Sequence, residues 1–158
     1  MVYVLGAPGS GKSAVLPMLR EALPGWAVLD WDWLMPAVEA LTGRPVRQHE
    51  DLWDPYAELV RSVVAGLGSV PVLVATVCTP DELDHIDGGW PAGEWLLLDC
   101  DDDERARRLR GRGESDDVVA SAHGDAAGYR ALAMPAVDTS ALTTAETAAA
   151  VAAWVGRA

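Results

Sequence analysis

Apolar and polar positions along this 158-residue chain fall into blocks of two kinds. Short, continuously apolar runs stand at 2 to 5 (VYVL), 26 to 30 (WAVLD), 70 to 77 (VPVLVATV) and 94 to 99 (EWLLLD), with MPAVD at 134 to 138 as a fifth candidate. Runs of this length that are apolar on both strand faces belong to a parallel sheet covered on both sides. Between them the spacing is helical. An amphipathic helix runs to about Leu23, where Pro24-Gly25 ends it, and WLMPAVEAL at 33 to 41 predicts a short helix. DPYAELVRSVVAGL at 54 to 67 has Asp54 as cap and Pro55 at the first helical position. Two Thr-x-x-Glu boxes, Thr79 with Glu82 and Thr143 with Glu146, open a short helix and the final helix. DDERARRLRG at 102 to 111 places acids in the first turn of another, and TGRPVRQHED at 42 to 51 reads as a polar loop.

This alternation of strand and helix predicts one α/β domain over residues 1–158: a three-layer sandwich on a parallel sheet, with ligands at the carboxyl ends of the strands. No repeat, linker or low-complexity tail interrupts it. The apolar runs are too short to span a membrane and no basic stretch precedes an apolar one at the start, so a soluble, cytoplasmic protein is expected. Cys78 and Cys100 are isolated and fit reduced core thiols.

Directly after the first strand comes Gly6-Ala7-Pro8-Gly9-Ser10-Gly11-Lys12-Ser13, which satisfies G-x-x-x-x-G-K-S between a strand and a helix. The glycines let the backbone N–H groups curl toward phosphate oxygens, and the helix N-terminus adds positive charge. In this pattern Lys12 reaches the β- and γ-phosphates and Ser13 ligates Mg²⁺. Residues 6 to 13, with Ala14 following, are the expected nucleotide-binding set. Charge sharpens that expectation. With 24 acidic against 12 basic side chains the net charge is −12, which disfavours nucleic acid and anionic membranes as partners. An anionic ligand must therefore be held locally, and Lys12 is the only lysine.

On the phosphate loop and the order of elements, the chain resembles the small P-loop kinases of the adenylate-kinase-like superfamily, which includes shikimate kinase, gluconate kinase and chloramphenicol phosphotransferase. The resemblance implies a five-stranded sheet of order 2-3-1-4-5, a mobile lid (about 110–125 here), and transfer of the γ-phosphate of ATP to a small acceptor. In shikimate kinase an Asp-x-Asp follows the second strand, and Asp30 and Asp32 in VLDWDWLMP map onto it. The resemblance implies that the first acid serves the metal and the second meets the acceptor hydroxyl. Independently, the sheet topology brings this strand end near the γ-phosphate, where a carboxylate can orient a hydroxyl and take its proton. Asp30 and Asp32 are two apart, so they share a face if the strand continues through them. No acid ends the third strand, which leaves Asp30 beside Ser13 as the expected metal partner.

Arg105, Arg107, Arg108, Arg110 and Arg112 crowd into eight residues after the fourth strand. The resemblance implies lid arginines there. Arg105 and Arg108 can pair with Asp101, Asp102 and Glu104 on a solvated helix face; Arg108 and Arg112 are the functional candidates, and Arg105 and Arg107 are read as structural. Arg130 is a further candidate. VDTS at 137 to 140 corresponds to a loop that lies against adenine in the superfamily. Trp26, Trp95 and Trp154 are expected in the core. Trp31, Trp33, Trp53 and Tyr56, with the varied loop around Arg47 and His49, suggest a cyclic, hydroxylated and uncharged acceptor on an aromatic wall. The expected activity is an ATP- and Mg²⁺-dependent kinase acting on a metabolite, nucleoside or antibiotic, as a monomer or small homo-oligomer. A nucleoside monophosphate kinase and a non-catalytic ATP-binding switch are the alternatives.

Overall fold

The computed structural model describes residues 1–85 and 89–157. Five strands, β1 (Val2–Leu5), β2 (Ala27–Asp30), β3 (Val72–Thr76), β4 (Glu94–Asp99) and β5 (Ala136–Asp138), form one parallel sheet in the order β2-β3-β1-β4-β5. The predicted order of 2-3-1-4-5 is the observed one. The helices are α1 (Lys12–Ala22), α2 (Met35–Thr42), α3 (Trp53–Gly66), α4 (Pro80–Asp84), α5 (Asp102–Arg110), α6 (Asp116–Ala131) and α7 (Thr144–Val155).

Strand alternation divides the core into two layers. Val2, Val4, Leu73, Ala75, Leu96 and Leu98 face α1 and α7, where Leu16, Leu19, Ala148 and Val151 close the layer. Tyr3, Val72 and Val74 face the other way, onto Trp31, Met35, Tyr56, Val60 and Val64. Burial on both faces explains why β3 has no polar side chain before Thr76. Trp26 and Trp154 pack against the first layer, and Trp95 stacks on Tyr3 at 4.4 Å. Both Thr-x-x-Glu boxes form: the Thr79 and Thr143 side chains accept from the backbone of Glu82 and Glu146, whose carboxylates accept in return.

Two local departures matter for the site. β2 ends at Asp30, and a 3₁₀ turn over Trp31–Leu34 follows before α2 begins. The long polar loop is likewise organised by two 3₁₀ turns, Val46–Gln48 and Glu50–Leu52. Helix α6 has no clear counterpart in the hydrophobic pattern. Its buried face is Val119, Ala122 and Ala126, and Gly124 and Gly128 interrupt it, so small side chains leave little periodic signal. Ser115 caps it, and the stretch 110–125 comprises the end of α5, a turn over 111–115 and the first part of α6. Among the described residues no helix is long and apolar enough to cross a membrane.

Replacing Leu73, which has 0% of its surface exposed in the central part of the sheet, with Ala lowers stability by about 2–5 kcal/mol in urea unfolding. The same change at Leu41, 87% exposed on α2, leaves the midpoint essentially in place.

Candidate active site

The loop between β1 and α1 depends on glycine at defined places. Gly9 and Gly11 have φ of 86° and 97°, in the left-handed region. A Cβ on Gly6 would lie 2.6 Å from Ser10 Oγ and 2.7 Å from the Leu98 carbonyl oxygen. The outward carbonyls of the loop are all held. Arg105 donates to Pro8 O at 2.8 Å, Arg108 to Gly9 O at 3.1 Å, and Thr139 Oγ1 to Ser10 O at 3.0 Å. Drawing carbonyls outward turns the alternating N–H groups of such a loop toward the cavity it encloses. Ser10 Oγ is buried there without a partner among the described residues.

That cavity has a volume of about 450 Å³, and Lys12, Ser13, Asp30, Asp32, Thr76 and Arg112 line it with the loop. Lys12 Nζ donates to the Gly6 carbonyl. Burial pulls its amine down from the usual lysine range to about 8, and Asp32, then Asp30, are the charges that resist this most. Two further cavities adjoin the first. One of about 740 Å³ shares Pro8, Trp31, Arg47 and Val77 with it. The other, about 250 Å³, shares Ser10, Gly11 and Arg112 and extends past Arg108, Thr139 and Thr143.

Asp30 and Asp32 meet in this site by a route other than strand alternation. Asp30 Oδ1 accepts from the Asp32 backbone N–H at 3.2 Å, capping the 3₁₀ turn that carries Asp32 into the same cavity. Arg47 forms an ion pair with Asp32 Oδ2. Asp32 Oδ1 is buried and has no hydrogen-bond partner among the described residues. Burial raises the Asp32 carboxyl above its ordinary range, opposed first by Arg47. The turn also separates the tryptophans. Trp31 is 1% exposed, its carbonyl accepting from the Tyr56 hydroxyl, whereas Trp33 is 59% exposed and lines neither cavity beside Asp32. As read from sequence, β3 supplies no acid. It ends in Thr76, whose Oγ1 accepts from Cys78 N–H at 2.9 Å.

The arginines sort by partner. Arg105 is not on a solvated face. It is fully buried, donating to Asp99 Oδ1 at 2.5 Å, Pro8 O at 2.8 Å and Cys100 O at 3.3 Å. Arg130 approaches Asp99 from α6 at 2.5 Å and also reaches Asp102 at 3.0 Å. Arg107 pairs with Glu104 on the exposed side, and Arg110 with Asp116. Arg108 joins Glu104, the Gly9 carbonyl and both oxygens of Thr139. Arg112 lines the first and third cavities and makes no ion pair among the described residues. Of the local acids that the sequence offers, Asp102 does come within 4.0 Å of Arg105 Nε, but the closer carboxylate is Asp99 at a strand end, and that contact and the burial were hidden in the sequence. The thiols are quiet: burial pushes Cys78 up to about 12, and Cys100 is buried.

Neither a protein-family model nor a curated protein matches the chain. Solved structures do match. A gluconokinase from Sinorhizobium meliloti 1021 is 23% identical with a TM-score of 0.67, the match covering 99% of this chain and 91% of that one. A tunicamycin resistance protein from Deinococcus radiodurans is 21% identical with a TM-score of 0.72, covering 98% and 94%. A shikimate kinase from Acinetobacter baumannii in complex with shikimate is 18% identical with a TM-score of 0.66, covering 99% and 92%. The chain has the P-loop kinase fold. Within a P-loop kinase fold at this low identity, substrate and chemistry have to be argued from the chain's own side chains.

Asp99→Ala leaves the Arg105 guanidinium buried without its carboxylate and costs about 3–5 kcal/mol in chemical denaturation. Arg107→Ala, at an exposed pair, leaves the unfolding midpoint in place. Gly6→Ala brings a methyl against the Leu98 carbonyl, so the unfolding free energy falls by about 1–3 kcal/mol in chemical denaturation.

Proposed function

We propose that this protein is a kinase that transfers the γ-phosphate of ATP to a hydroxyl of a small molecule. The observation that carries this reading is the first cavity, where a phosphate loop with its lysine faces a carboxylate having one buried oxygen without a partner among the described residues. A loop that only held nucleotide has no use for that oxygen.

The roles follow from charge and reach. The loop from Gly6 to Ala14 holds the phosphates through its backbone N–H groups, which Pro8 alone lacks, and through the start of α1, with Lys12 set against the β- and γ-phosphates. Arg47 restrains Asp32 Oδ2, leaving Oδ1 to orient the acceptor hydroxyl and take its proton, and burial increases that oxygen's proton affinity. Arg108, fastened to the loop and to Thr139, stands beside the third cavity, which suits the nucleoside end of ATP. Arg112, between the first and third cavities, turns onto the phosphates as charge develops there.

Ser13 and Asp30 present hard oxygen donors in the phosphate cavity, and Mg²⁺ takes few protein ligands beside phosphate and water, so this donor set fits it. When bound, Mg²⁺ supplies positive charge that offsets the phosphates and the paired acids.

With γ-labelled ATP and a panel of hydroxylated small molecules, wild type transfers label; Asp32→Asn lowers kcat by about 10²- to 10⁴-fold with ATP affinity retained. Label transfer to no acceptor despite tight ATP binding would favour a switch. Asp30→Ala shifts the Mg²⁺ dependence of activity, and an unchanged dependence removes Asp30 from the metal site. The Lys12 amine is protonated below its pKa of about 8 and loses its proton above it, so ATP affinity weakens as pH rises through 8. At pH 8.5, calorimetry in two buffers of different ionisation enthalpy detects proton uptake on ATP binding, which Lys12→Ala lacks.

A further inference from the structure

The 740 Å³ cavity beside the phosphate site has the size of a small-molecule site and an unusual charge. Glu50, Asp54, Asp81, Glu82 and Asp125 line it, against one arginine, Arg47, and His85. Arg47 is already paired with Asp32. Glu50, Asp54, Asp81 and Asp125 make no ion pair among the described residues, and Glu82 is turned to the Thr79 cap. Burial and then the charge of Glu82 raise the Asp125 carboxyl, and the smaller opposing effects of Arg105 and Lys12 do not cancel them. An uncharged acceptor, the expectation from sequence, would leave that repulsion in place, and an anionic one would increase it.

Three further features narrow the missing positive charge to an organic cation. Among the described residues no three of His, Cys, Asp and Glu lie close enough to hold a metal ion, so the acids are spread around the cavity. Trp53 and Tyr129 supply aromatic surface suited to ammonium groups and ring faces. Trp31, on the boundary with the phosphate cavity, keeps a buried indole N–H without a partner among the described residues, a donor for an acceptor-bearing ligand.

Resting on the kinase reading, we infer that the acceptor is a hydroxylated amine, bound as a cation with its ammonium groups among Asp54, Asp81 and Asp125 and one hydroxyl at Asp32. The hydroxyl oxygen forms the new bond to the γ-phosphorus and the bond to the β-phosphate oxygen breaks. The hydroxyl proton passes to Asp32 Oδ1, and ADP leaves with the released electron pair. The ammonium groups take no part in bond making and serve recognition.

The test uses the full chain with Mg²⁺ and γ-labelled ATP on amino sugars, aminocyclitols and aminonucleosides. Each is run beside its N-acetylated counterpart, which keeps the hydroxyls and loses the charge, with gluconate and shikimate as anionic controls. The expected result is label transfer to at least one amine with kcat/KM at least about tenfold above its N-acetylated form. In Asp125→Asn the KM for that amine rises about tenfold while its kcat and the KM for ATP stay within about twofold, a split that general damage to the fold would not produce. Equal or better transfer to N-acetylated or anionic acceptors overturns the inference and leaves the kinase reading standing. Transfer to none of them, with ATP binding intact, overturns both.

Discussion

The guanidinium of Arg105, without exposed surface, sits between the Asp99 carboxylate at 2.5 Å and the Pro8 carbonyl at 2.8 Å. Asp99 ends β4, Pro8 lies at the bend of the phosphate loop, and Arg105 is on α5, so one buried group ties sheet, loop and helix together. Arg130 shares Asp99 and adds α6 to the same knot. A buried charge survives when a carboxylate and good hydrogen bonds offset its desolvation. Asp99, Pro8 and Cys100 do this for the two terminal nitrogens of Arg105, while its Nε has no hydrogen-bond partner among the described residues, and the loop's curvature and the stance of Arg108 above it rest on those contacts.

A second constraint acts across the cavity. Asp32 reaches the phosphate side only because β2 stops at Asp30 and a 3₁₀ turn, capped by the Asp30 carboxylate, swings the chain over. The Tyr56 hydroxyl, bonded to the Trp31 carbonyl, and the burial of Trp31 hold that turn against the core. Arg47 then fixes one carboxylate oxygen and leaves the other without a partner among the described residues. Desolvation there raises the carboxyl's affinity for a proton, which separates this acid from a surface aspartate.

The acidic cavity draws its acids from four places in the chain: the turn around Glu50, the start of α3, helix α4 and the middle of α6. In a chain with net charge −12, such acids look like ordinary solvated surface. Only their arrangement around one cavity, near an arginine already committed to Asp32, sets them apart from it. The aromatic side chains sort in the same way. Trp53 joins the cavity wall with Trp31, while Trp33, its close neighbour in sequence, turns to solvent.

Residues that act with near neighbours were legible from order alone. The phosphate loop, its glycines, both Thr-x-x-Glu caps and the buried strands each express a local rule, and the alternation of strand and helix was enough to anticipate a parallel sheet, whereas its order was implied by the resemblance to the small P-loop kinases. Helix α6 escaped because alanine and glycine carry too little periodic contrast. Arg105 escaped because nearby acids masked a distant one. The pairing of Arg47 with Asp32, the hold of Thr139 on Ser10 and the charge of the second cavity join residues 15 to 129 positions apart or on separate elements. Sequence by itself determined the local chemistry and the layering, since both depend on spacing along the chain. The tertiary structure alone decided which charges meet, because electrostatic energy depends on distance and burial in space.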